Sequence, residues 1–173
     1  MTDQTTYTTW YRATQDSNGP DETVEKFMTD WVDDHDIDGI KAAYRAAIDQ
    51  ALPADVALIG NEFIGPARPE PGEFDGYPVD EHGDLDIAAI IEDIDLDEIV
   101  PRFELLTIDE VASRFGYTGK AAAATARKAL SRLGVERAGL TDEPRPRALF
   151  RAGDVDDAVS ARPGKGNRTP RDA

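Results

Sequence analysis

The chain has 173 residues and no cysteine, which leaves room for one domain or two small ones and excludes disulfides and thiolate metal sites. Its net charge of −16 is unevenly spread: residues 1–106 carry 6 Lys and Arg against 26 Asp and Glu (net −20), whereas residues 107–173 carry 13 against 9 (net +4). A split this sharp predicts two parts with different partners and argues against a general salt adaptation, which would acidify both.

No apolar run approaches the roughly 18 residues of a membrane span, and the polar N-terminus lacks the apolar core of a signal peptide. A cytoplasmic location is therefore expected. Residues 1–20, rich in Thr, Gln, Asp, Ser and Asn, read as a disordered N-terminus in which Trp10 and Tyr11 are the apolar exceptions. Asp21 is positioned to cap a helix running to about residue 34, with Val24, Phe27, Met28, Trp31 and Val32 on one stripe. Asp38 is positioned to cap a second helix over residues 39–52, whose stripe is Ile40, Ala43, Tyr44, Ala47, Ile48 and Leu52. Pro53 ends it. The two helices are expected to pack as a hairpin through Trp31, Tyr44 and Ile48.

Residues 56–59 and 62–64 read as strand-like pieces around Gly60-Asn61. Residues 65–83 follow as a surface loop with four prolines and four glycines. Residues 86–93 and 96–103 read as two short helices, the second weakened by Pro101, with Ile87, Ile90, Ile91, Ile99, Val100 and Phe103 turned inward. These elements predict an acidic, mostly helical domain over residues 21–104.

Two acidic stretches imitate calcium loops. Asp34, Asp36, Asp38 and Gly39 fit the opening of such a loop, but its twelfth position, which requires a bidentate glutamate, is Arg45. Asp93, Asp95, Asp97 and Glu104 fit positions one, three, five and twelve, yet Glu98 occupies the sixth, where the sharp turn needs glycine. Capping and a solvated acidic face are the expected roles. His35 and His82, the two histidines, have no neighbouring cysteine or histidine for zinc. Neither a Gly-rich phosphate loop nor a Gly-x-Ser-x-Gly elbow is present. No enzyme, catalytic residue, metal or cofactor is expected.

From Leu105 the pattern changes. In Leu106-Thr107-Ile108-Asp109-Glu110-Val111-Ala112, Thr107 and Glu110 form a capping box, and Leu106 and Val111 occupy the positions of a hydrophobic staple. Ile108, Val111, Ala112 and Phe115 form the inner face of this short helix, and Gly116 supplies its left-handed stop. After a tight turn at Tyr117-Thr118-Gly119, a second helix is predicted over residues 120–133, with Gly134 ending it. At 100° per residue, Ala122, Ala126, Ala129, Leu130 and Leu133 cluster on one side. Lys120, Ala121, Ala124, Lys128, Ser131 and Arg132 lie on the other. The outer face is thus basic with alanines between the charges. Alanines permit close approach to a duplex, while lysine and arginine reach phosphates or guanine edges. Residues 135–138 and 148–151 read as the two strands of a hairpin around a polar turn, and residues 155–161 as a third short helix opened by Gly153-Asp154. Phe115, Leu130, Leu133, Leu149 and Phe150 are expected in one core.

Helix, turn, helix, hairpin, helix is the order of a winged module. The residues quoted above, together with Thr125-Ala126-Arg127-Lys128, Leu130-Ser131-Arg132-Leu133-Gly134, Asp154-Val155 and the stretch from Arg162 to Arg168, carry a resemblance. Residues 105–168 resemble the MerR-like or excisionase-like winged helix-turn-helix domains of actinobacterial regulators and mobile elements. The fold class implied is mainly α: a winged helix-turn-helix with a two-stranded wing at residues 105–161, preceded by the acidic helical domain and followed by a basic, disordered tail at 162–173.

The resemblance implies that the second helix enters the major groove of double-stranded DNA while the wing grips the backbone. Carried onto this chain, the DNA-binding candidates are Lys120, Thr125, Arg127, Lys128 and Arg132 on the helix, and Arg145 and Arg147 on the wing. Arg162, Lys165, Arg168 and Arg171 add nonspecific phosphate attraction. The expected function is that of a nucleoid-associated transcriptional regulator or recombination accessory factor. The alternative is an acidic adaptor or inhibitor that holds a basic protein partner through its N-terminal half.

Overall fold

The computed structural model describes residues 4–7, 19–66, 74–81 and 83–162, about half of them helical, with two small three-stranded antiparallel sheets. Trp10, Tyr11, His82 and most of the basic tail lie outside the described residues. The chain divides into two compact units, Met1–Val100 and Pro101–Ala173.

In the first unit, α1 (Pro20–Phe27) begins two residues earlier than expected. Gly19 is the N-cap and Pro20 takes the first helical turn, where its missing N–H costs nothing. Asp21 and Glu22 then sit in the first turn, favoured by the helix dipole, in place of the expected Asp21 cap. The helix also stops well short of residue 34. The Thr29 hydroxyl donates to the carbonyls of Glu25 and Lys26, a side-chain competitor for helical hydrogen bonding. The chain turns, and a short 3-10 helix follows at Val32–Asp34. This break overturns the expected stripe. Val24 and Met28 are fully buried, but Phe27, Trp31 and Val32 are exposed, so Trp31 is not part of the packing.

Helix α2 (Ile37–Ala51) is capped by Asp36 rather than Asp38. The Asp36 carboxylate accepts from the Gly39 N–H at 3.0 Å. Ile40, Tyr44 and Ile48 form its buried stripe as predicted, and α2 packs against α1. Arg45, the residue that spoils the calcium pattern, donates to Asp21 and to the Gly60 carbonyl, both at 2.8 Å. Strands β2 (Ala57–Ile59) and β3 (Glu62–Pro66) form the hairpin around Gly60-Asn61. Strand β1 (Gln4–Tyr7) completes the sheet in the order β1-β3-β2, so a disordered terminus is not the state of these four residues. Their polar, Thr-rich composition supports strand pairing once a hairpin edge is available, and the edge comes from residues far along the chain. Helices α3 (Ile87–Glu92) and α4 (Leu96–Ile99) are capped by Asp86 and Asp95. The expected continuation of α4 to residue 103 is instead a 3-10 turn, Val100–Phe103, because Pro101 lacks the N–H that an α-helix would use.

In the second unit, β4 (Leu105–Leu106) leads into α5 (Ile108–Arg114). The capping box is present: Thr107 N–H donates to the Glu110 carboxylate at 2.7 Å, and Glu110 N–H donates to the Thr107 hydroxyl at 3.5 Å. Thr107→Ala is expected to destabilise this unit by about 1 kcal/mol, with a lowered urea midpoint and an unchanged m value as the check. Gly116 (φ +73°) ends the helix, and Tyr117 N–H closes onto the Ala112 carbonyl at 2.9 Å.

Helix α6 (Ala122–Leu133) follows after Gly119, starting two residues later than predicted, and Gly134 (φ +71°) ends it. The Val135 N–H is used to close this end, reaching the Leu130 carbonyl at 3.0 Å. Strand pairing therefore starts later than residue 135. Strand β5 is Gly139–Leu140, preceded by one hydrogen bond from Ala138 N–H to the Leu149 carbonyl.

Strand β6 (Ala148–Arg151) lies between β4 and β5, so the expected two-stranded hairpin is part of a three-stranded sheet. Helix α7 (Ala152–Ser160) follows β6 directly, three residues earlier than predicted. Its Ala152 N–H donates to the Glu104 carbonyl at 2.9 Å. At Gly153 an added Cβ would stand 2.9 Å from Arg102 Cβ and 3.0 Å from its carbonyl oxygen, so only glycine fits there unshifted.

The core of this unit is Leu106, Ile108, Val111, Ala112, Phe115, Ala126, Leu130, Phe150 and the apolar face of α7. Two expected members are not in it. Leu133 is 38% exposed on the last turn of α6, and Leu149 is only half-buried, because strand alternation turns it away from the face that buries Phe150.

Candidate nucleic-acid interface

The outer surface of α6 is set by its buried one. Ala126 and Leu130 face the core, with Ala122, Ala123 and Ala129 half-buried beside them. The residues of the opposite arc, Ala124, Thr125, Arg127, Lys128, Ser131 and Arg132, are all exposed. From Lys120 to Val135 the chain holds four cations, Lys120, Arg127, Lys128 and Arg132, and no carboxylate. None of the four has an ion-pair partner among the described residues.

Three acids of the same unit, Glu104, Asp156 and Asp157, are engaged with other arginines. Arg102 binds Asp157 at 2.7 Å, and Arg114 bridges Asp156 at 2.7 Å and Glu104 at 3.1 Å. The hydrogen bond from Arg114 to Asp156 holds its guanidinium pKa above the ordinary value. These pairs tie α7 to the 3-10 turn and to α5.

The predicted site residues are not equivalent. Lys120 lies in the turn before α6, since the helix starts at Ala122, but it is exposed. The Thr125 hydroxyl donates to the Ala121 carbonyl at 3.0 Å, so its proton is committed within the helix and only its lone pairs face outward. Arg127, Lys128 and Arg132 are exposed on the helix itself.

In the loop joining β5 to β6, Arg145 is exposed and has no ion-pair partner among the described residues. Arg147 is also exposed, 3.3 Å from Glu143, a solvated pair of small energetic worth that phosphate can displace. The loop is closed by Thr141, whose N–H donates to the Arg147 carbonyl at 2.9 Å and whose hydroxyl accepts from Arg147 N–H at 3.0 Å.

Arg162, expected to serve in the tail, has a structural position: its guanidinium lies 5.3 Å and 5.1 Å from the ring centres of Phe115 and Tyr117 and donates to the Phe115 carbonyl. Lys165, Arg168 and Arg171 lie outside the described residues. One cation was missed by reading the sequence. Arg137, assigned there to a strand, is exposed in the irregular segment after α6 and lines a groove of about 570 Å³ with Leu133, Glu136, Arg151 and Asp154. The glycine stop immediately upstream was the available signal that this segment is a helix exit before it is a strand.

Among the described residues no group of three or more His, Cys, Asp or Glu is placed to hold a metal ion, and no helix is long and apolar enough to cross a membrane. No family model matches the chain, and no curated protein or solved structure matches it.

Proposed function

We propose that the second unit is a winged helix-turn-helix module that binds double-stranded DNA, as a transcriptional regulator or recombination accessory factor. The observation that carries this reading is the acid-free run from Lys120 through α6, whose four cations have no ion-pair partner among the described residues. Twelve residues make a helix about 18 Å long, which the major groove of B-DNA admits. Ala121 and Ala124 let the backbone approach, so that Arg127, Lys128 and Arg132 reach phosphates or base edges. Arg145 and Arg147 in the β5–β6 loop take the role of a wing on the neighbouring backbone.

A gel-shift series on the full chain tests this. Six phosphate contacts, from Lys120, Arg127, Lys128, Arg132, Arg145 and Arg147, give a log–log salt slope of about −5 and an affinity loss on the order of 10³ between 50 and 200 mM salt. No binding at 50 mM salt, or a flat salt dependence, refutes the proposal. The net −20 of residues 1–106 favours the second reading, an acidic adaptor or inhibitor for a basic protein, and that failure would leave it standing.

A further inference from the structure

The first unit carries an apolar surface with a defined electrostatic character. Phe27, Trp31 and Val32 lie within six consecutive residues and are 43%, 57% and 52% exposed, while Val24 and Met28 beside them are fully buried. The segment is held in shape. Trp31 N–H donates to the Met28 carbonyl at 2.9 Å, His35 stacks on the indole at 6.1 Å between ring centres, and the His35 Nδ1 lies 3.2 Å from the Trp31 carbonyl. The tryptophan is therefore presented outward by an ordered turn.

Residues 27–40 contain five aspartates and no Lys or Arg. Asp36 is committed as the cap of α2. Asp30, Asp33 and Asp34 are exposed and have no ion-pair partner among the described residues. The cations near this surface have carboxylate partners on the helices: Lys26, next to Phe27, lies 3.9 Å from Glu22, Lys41 pairs with Glu25 and Arg45 with Asp21.

We infer that the Phe27–Trp31–Val32 surface docks a basic segment of a protein partner that carries apolar side chains between its lysines and arginines. Charge selects this occupant. Nucleic acid and an anionic membrane are repelled by the aspartates, and an isologous contact with a second copy would set Asp30, Asp33 and Asp34 against their own counterparts. A basic segment satisfies them, while its apolar residues cover the indole, the type of anchor that dominates interface energetics. This inference does not rest on the DNA reading, since it involves neither α6 nor the second unit.

The test uses the full chain and a fluorescent synthetic amphipathic helix of leucine and lysine. The control is a peptide with the same lysines and serine in place of leucine. Anisotropy at 150 mM salt should show the leucine peptide binding at least about tenfold more tightly. Trp31→Ala should remove about tenfold of that affinity and leave the serine peptide unchanged, Trp31→Phe should retain it, and Asp33→Asn/Asp34→Asn should weaken both peptides. Because Trp31 and Val32 are exposed, Val32→Ser gives an independent truncation of the same surface with no cavity.

Equal binding of the two peptides, or wild-type affinity in Trp31→Ala, would reduce the effect to polyelectrolyte attraction and overturn the inference. Two further results would also overturn it by identifying another occupant. One is a dimer of the free chain in sedimentation that Trp31→Ala dissolves. The other is a gain in peptide affinity on Lys128→Ala/Arg132→Ala, which would place the chain's own cations on this surface.

Discussion

Replacing Lys128 and Arg132 together by alanine is expected to weaken binding to double-stranded DNA about 50-fold at 0.1 M monovalent salt. Each phosphate contact releases close to one counterion, so losing two lowers the log–log salt slope by about 2 and the affinity at 0.1 M by slightly less than a hundredfold. Both side chains are exposed and touch no acid among the described residues, so their truncation opens no cavity and strands no charge. Stability should change by no more than about 0.5 kcal/mol. Gel shifts with unrelated DNA sequences then separate two modes. A uniform loss identifies phosphate contacts, whereas a loss of about 1–3 kcal/mol confined to one base position identifies base reading. Unchanged affinity in the double variant would remove α6 from the interface.

Leu130→Ala is expected to destabilise the second unit by about 2–5 kcal/mol, and Leu133→Ala by about 1 kcal/mol. Helical periodicity places both leucines on the same side of α6, but their surroundings differ. Leu130 is 2% exposed among Val111, Phe115 and Phe150, so its truncation leaves a cavity that close-packed neighbours fill only in part. Leu133 stands at the mouth of the groove lined by Arg137 and Asp154, where water replaces the lost methyls. Urea titrations followed by far-UV circular dichroism provide the comparison. Equal costs for the two substitutions would mean that the last turn of α6 is buried after all.

The elements that follow from contacts between near neighbours were legible in the chain. The Thr107–Glu110 capping box joins residues three apart, and the stops at Gly116 and Gly134 depend on a left-handed backbone that glycine adopts without a Cβ penalty. The buried stripe of α2 follows from the 3.6-residue period, which places Ile40, Tyr44 and Ile48 on one side. The basic outer face of α6 is the same argument applied to charge.

Where several local partners compete, the outcome is decided by packing. Asp36 and Asp38 are both able to cap α2, and Asp36 does so; Thr29 turns the chain before Trp31 can join the stripe. The pairing of β1 with β3, and of β4 with β6, joins segments more than forty residues apart in the chain, and no periodicity within either partner reports it. The candidate interface divides in the same way. Sequence alone determined that the second part of the chain is cationic and that α6 has no acid of its own. Only the tertiary structure decided which cations are available. It consumes Arg102 and Arg114 in ion pairs with α7 and places Arg162 over two aromatic rings. Among the described residues it leaves Arg127, Lys128 and Arg132 without a carboxylate partner, while Glu104, Asp156 and Asp157 are brought to Arg114 and Arg102 where α7 packs near α5.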